Sequence, residues 1–123
     1  MSRVNFLTVS EFAALKLAAE PIDRAFPGSY GIYHVGSSIE RHDYRDVDVR
    51  LIMADEDFER LFGTRKKSPS RLDLWFLFCW ALSEWMQRRT GLPIDFQIQS
   101  QEMANSPENK GPRNALFFAE VNP

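Results

Sequence analysis

A chain of 123 residues has room for one domain, and burial of about two-thirds of its unfolded surface gives it one real hydrophobic core. Hydrophobic residues make up 44%, charged residues 26% and aromatic residues 13%, which excludes a disordered or fibrous chain. Fifteen Lys and Arg against seventeen Asp and Glu leave a formal charge of −2, and that balance argues against a protein that simply coats nucleic acid or an anionic membrane.

Taken in chain order, Thr8-Val-Ser-Glu11 fits a capping box, with Thr8 as N-cap and Glu11 three residues on. The spacing of Phe12, Ala13, Leu15, Lys16 and Ala19 predicts a first helix that ends or kinks near Pro21. Pro27-Gly28-Ser29 is turn chemistry, and Tyr30 to Val35 reads as a short strand rich in aromatic and β-branched residues. From Asp46 to Met53 the chain alternates: Asp46, Asp48 and Arg50 fall on one face, Val47, Val49, Leu51 and Met53 on the other. Asp55 to Phe62 predicts a short helix closed by Gly63. A long helix is expected from about Leu72 to Arg89, with Gly91 and Pro93 as stop signals. Ile94 to Gln99 alternates again, Ile94, Phe96 and Ile98 inward and Asp95, Gln97 and Gln99 outward. Residues 100–114 read as loop, and Ala115 to Val121 as an apolar tail of undefined type.

The longest apolar run, Leu74 to Leu82, is nine residues long, half of what a membrane span needs (about 18). It is therefore expected to be a buried helix. The N-terminal residues contain no long apolar stretch of the kind a secretory signal carries. Cys79, the single cysteine, has no intrachain partner for a disulfide. These features predict a cytoplasmic protein with no membrane partner.

Residues two apart on a strand point the same way, so Asp46 and Asp48 project together, with Cα atoms about 6.5 Å apart. Two carboxylates held close repel, and one of them prefers its proton. A divalent cation reverses that preference, because hard cations take oxygen ligands. Asp95 adds an acid at the outward position of another strand. If those strands are neighbours, the three acids could hold two ions about 3.5–4 Å apart. Gly36-Ser37 follows the strand ending at Val35, where glycine permits close backbone approach and successive N–H groups can hold phosphate oxygens.

Val35-Gly36-Ser37, then eight residues, then Asp46-Val47-Asp48-Val49, and later Ile94-Asp95-Phe96 together resemble the nucleotidyltransferase superfamily that includes DNA polymerase β, in particular its small single-domain members. The resemblance spans about residues 30 to 99. It implies a nucleoside triphosphate bound with two Mg²⁺ or Mn²⁺ ions, and transfer of its nucleotidyl group to a hydroxyl acceptor with release of pyrophosphate. It implies further that Asp46 and Asp48 coordinate the metals, that Asp95 completes the site for the attacking hydroxyl, and that Gly36 and Ser37 hold the phosphates.

Arg41, His42 and Arg45 lie between the turn and the first acid, within reach of a triphosphate, or else form local ion pairs in a solvated loop. Arg45 could clamp phosphate oxygens bidentately. Arg50 shares the face of the acids, where it orients substrate or pairs with Asp48. The basic run Thr64 to Ser68 could touch a nucleic-acid backbone or be a solvated loop. His34, His42 and Cys79 are too scattered for a zinc site, and Cys79 is expected in the core. The aromatic helix with Trp75, Phe76, Trp80 and Trp85 favours either a fully buried position or burial against a second copy of the chain.

The expectation is thus one α/β domain over residues 1–123, with a core over about 8–99 and a loop-rich tail over 100–123: a small mixed sheet with helices on one face. Its expected activity is metal-dependent transfer of a nucleotide to an RNA, protein or small-molecule hydroxyl. The alternatives are a non-catalytic, antitoxin-like or regulatory binding module, and a metal-dependent phosphodiesterase.

Overall fold

Alternation along the strand segments builds the sheet. In the computed structural model, which describes residues 5–63, 69–109 and 111–118, β1 (Gly31–Val35), β2 (Val47–Met53), β3 (Ile94–Ser100) and β4 (Asn114–Phe118) lie in the order β3-β2-β1-β4. β1 runs antiparallel to both β2 and β4, whereas β2 and β3 are parallel. The sheet is mixed, as expected. Its apolar face carries Ile32, Val47, Val49, Leu51, Ile94, Phe96 and Ile98, all buried, and three longer helices cover it: α1 (Val9–Ala25), α3 (Asp55–Phe62) and α4 (Pro69–Thr90). Two single turns, α2 (Ser37–Glu40) and α5 (Gln101–Ala104), directly follow β1 and β3.

The capping box at Thr8 forms as predicted. The Thr8 N–H donates to Glu11 Oε1 at 2.8 Å and the Glu11 N–H to Thr8 Oγ1 at 3.1 Å. The helix does not stop at Pro21 but runs on to Ala25. A proline inside a helix costs about 3 kcal/mol; burial of Ala18, Ala19 and Ile22 against the core offsets it. The stretch read as loop after residue 100 also holds structure: α5, a 3₁₀ turn at Pro107–Asn109, and β4 pairing with β1. The basic run at 64–68 and the end of the apolar tail beyond residue 118 lie outside the described residues.

α4 corrects the expectation of a helix buried all round. Leu74, Phe76, Leu77 and Trp80 are about half exposed. A stripe of Trp75, Cys79, Ser83 and Gln87, four residues apart, instead runs along the free edge of β3. Trp75 Nε1 donates to the Ile98 carbonyl at 2.7 Å, and the Ile98 N–H meets Cys79 Sγ at 3.4 Å. Ser83 Oγ accepts from the Phe96 N–H at 2.8 Å, and Gln87 Nε2 donates to the Ile94 carbonyl at 2.8 Å. An unpaired strand edge invites aggregation. Here side chains of a helix stand in for the next strand.

Candidate functional site

The polar face of the sheet begins where β1 ends. Gly36 has φ +82°, a conformation that glycine adopts without the penalty a side chain brings. A Cβ there would collide with the Asp48 carboxylate, because Val35 is the register partner of Asp48. Only glycine lets the backbone pass so close to that acid. The chain then turns into α2, pinned from both sides: Ser38 Oγ lies 2.5 Å from His34 Nε2, and the Phe6 N–H donates to the Ser38 carbonyl at 2.8 Å.

Asp48 and Asp95 are register partners on the parallel strands β2 and β3, so their side chains leave the same face about 4.8 Å apart at the backbone. The two strands are neighbours, as the convergence of acids required. Arg50 faces both carboxylates: its Nη2 is 3.6 Å from Asp48 Oδ1 and 3.5 Å from Asp95 Oδ2. Its Nη1 donates to the Asp95 carbonyl at 2.7 Å and to the Val49 carbonyl at 3.0 Å. The Asp48 carboxyl is pushed up from its ordinary 3.8 to about 6. Burial is the main cause; Arg50 opposes it, and the charges of Asp95 and Asp46 add to it.

Asp46 stands one residue before β2, exposed to solvent. It is near enough for its charge to act on Asp48. Among the described residues, no three His, Cys, Asp or Glu side chains form a group arranged to hold a metal ion. The donor chemistry nonetheless fits a divalent cation: the acids are hard oxygen donors, and Asp48 is a partly buried carboxylate.

Two clefts open on these acids. One, of about 370 Å³, is lined by Gly36, Ser37, Arg41, Asp48, Arg50 and Arg113, with Glu40 and Glu108 also at its wall. The other, of about 410 Å³, runs between α4 and β3 past Asp46, Asp95, Trp75, Phe76 and Trp80. Ser37 and Gly36 therefore sit where the sequence pattern put them. Arg45, expected to reach phosphate, is exposed and lines neither cleft, whereas Arg41 and Arg113 line the first. Arg113 carried no local signal, lying in a stretch read as loop; it is oriented by the Ala104 carbonyl and by Asn105 Oδ1. His42 lies against the Phe6 ring, 6.2 Å between centroids.

No family model, no curated protein and no solved structure matches this chain. Among the described residues, no helix is long and apolar enough to cross a membrane.

Proposed function

We propose that the protein is a metal-dependent nucleotidyltransferase, moving a nucleoside monophosphate from a nucleoside triphosphate to a hydroxyl acceptor. The observation that carries this reading is the pairing of Asp48 with Asp95 across β2 and β3, directly beside the turn at Gly36.

Asp46, Asp48 and Asp95 would hold Mg²⁺ or Mn²⁺, two ions in all, which supply neutralisation of charge on the attacking and leaving oxygens. The first cleft would take the triphosphate: the Gly36–Ser37 backbone faces it, and Arg41 and Arg113 bring cations for phosphate oxygens. The second cleft would take the acceptor, with Asp95 at its mouth and the aromatic walls of Trp75, Phe76 and Trp80 behind. Displacement at phosphorus needs attacking and leaving oxygens roughly in line, and two clefts meeting at one pair of acids suit that need. The acceptor oxygen bonds to the α-phosphorus, the α–β bridging P–O bond breaks, pyrophosphate leaves, and the hydroxyl proton passes to Asp95.

The test is incubation of the full chain with each α-labelled triphosphate and Mn²⁺, with RNA, the protein itself and small alcohols as acceptors. Pyrophosphate release with label on an acceptor is expected, and Asp48→Ala should cut it by at least about 10²–10³-fold. Near-full transfer by Asp48→Ala, or release of nucleotides from RNA in place of transfer, contradicts the reading.

A further inference from the structure

Arg50 is the part of this site that neither the acids nor the Gly36 turn explains. Its side chain is only 13% exposed, against 20% for Asp48 and 43% for Asp95. An ordinary surface arginine pairs loosely with one acid and contributes little. This one is held by four acceptors on two strands: two carboxylates and two backbone carbonyls. The carbonyls fix the planar fork, so the guanidinium is held against both acids.

A divalent ion shared by Asp48 and Asp95 needs carboxylate oxygens at about 2.0–2.6 Å. It would therefore occupy the space where Nη2 now lies, 3.5–3.6 Å from each acid. The two cations cannot share that space, since like charges at a few ångströms repel strongly in a half-desolvated setting. Resting on the metal-dependent reading above, we propose that Arg50 is a built-in counter-cation of the Asp48–Asp95 pair, which a divalent ion must displace in order to bind both acids. Arg50 thereby sets the metal affinity of the free protein, holding it low while keeping the strand-to-strand acid pair in place. Its guanidinium also lines the cleft beside Gly36 and Ser37, so an anion there offers it another partner once displaced.

Mn²⁺ alone is the probe, with free ion counted by electron paramagnetic resonance over full-length protein and no nucleotide present. Arg50→Met removes the charge and keeps the bulk; it should bind Mn²⁺ at least tenfold more tightly than the unsubstituted chain. Adding Asp95→Asn to Arg50→Met should abolish that gain. Arg50→Lys, which keeps a charge but loses the fork, should give an intermediate rise, and it serves as the second reading if circular dichroism shows Arg50→Met unfolded. Unchanged Mn²⁺ affinity in the folded variants overturns the inference, as does a gain that survives Asp95→Asn. Because no nucleotide enters this experiment, its outcome is separate from that of the transfer assay: metal gain without transfer activity sinks only the proposed function, and transfer without metal gain sinks only the role of Arg50.

Discussion

His34 on β1 and Asp48 on β2 stand on opposite faces of one sheet, and both are ionisable groups taken out of water. His34 is the register partner of Val49 and faces the helix-covered side, with the Phe12 ring at 6.2 Å. Burial lowers its pKa from 6.5 to about 4, so it is neutral at ordinary pH, hydrogen-bonded to Ser38 through Nε2. Its Nδ1 has no hydrogen-bond partner among the described residues. Asp48 has a cation beside it and still sits at about 6. The first group has surrendered its charge to serve the turn at α2. The second is held near the point of losing its charge, in a place where a bound cation would restore it. Burial of a polar group costs free energy in both cases; His34 meets it by giving up its charge, whereas Asp48 keeps a cation beside it that offsets the cost only in part.

The comparison is broken most severely at Gly36. Gly36→Ala forces a Cβ into the Asp48 carboxylate and a left-handed backbone on alanine, so urea denaturation should show a loss of about 2–3 kcal/mol. An unchanged midpoint would mean that the approach of β1 to Asp48 is looser than described.

The pH dependence sharpens it. Asp48 binds its proton more tightly folded than unfolded, so its contribution to stability falls as pH rises from about 4 to about 6. Asp48→Asn should remove that loss and stabilise the protein at pH 7 by about 1–2 kcal/mol. His34 has the opposite sign: its folded pKa is depressed, so its stabilising contribution is present above pH 6.5 and lost as pH falls toward 4. The two contributions share the window between about pH 4 and 6.5 with opposite slopes, so in chemical denaturation at graded pH His34→Leu should remove a rise of stability with pH and Asp48→Asn a fall. If both variants change the slope in the same direction, the two faces do not differ in the manner described.

The smallest effect concerns α4. Ser83→Ala strips the Phe96 N–H of its partner at the β3 edge and should cost about 1 kcal/mol. Trp80→Gln, on the exposed face of the same helix, should change stability by less than about 0.5 kcal/mol. Equal losses from the two would place the helix differently on the sheet.

Much of this was legible in local pattern. The capping box, the alternation of β2 and β3, and the outward faces of Asp48 and Asp95 all rest on residues a few positions apart, and all hold. Asp46 shared the alternation but falls just before β2 and is exposed, since pattern marks a face and not where pairing starts. What escaped depends on partners far along the chain. Arg50 meets Asp95 across 45 residues of sequence, and Arg113 reaches the cleft because β4 returns beside β1. The stripe Trp75, Cys79, Ser83, Gln87 was present at four-residue spacing, but the density of apolar residues around it hid it. Pro21 misled because its helix-breaking cost is local, whereas the burial of Ile22 that outweighs it is tertiary.

The central claim is that Asp48 and Asp95 work as one pair on a nucleoside triphosphate. Counting pyrophosphate released with Mn²⁺ by the unsubstituted chain, Asp48→Asn and Asp95→Asn tests it most directly, with the folded state of each confirmed by circular dichroism. The expected result is turnover by the unsubstituted chain and a loss of at least about 10²-fold in both variants alike. Full turnover in either folded variant, or none in the unsubstituted chain with any of the four common triphosphates, would contradict it.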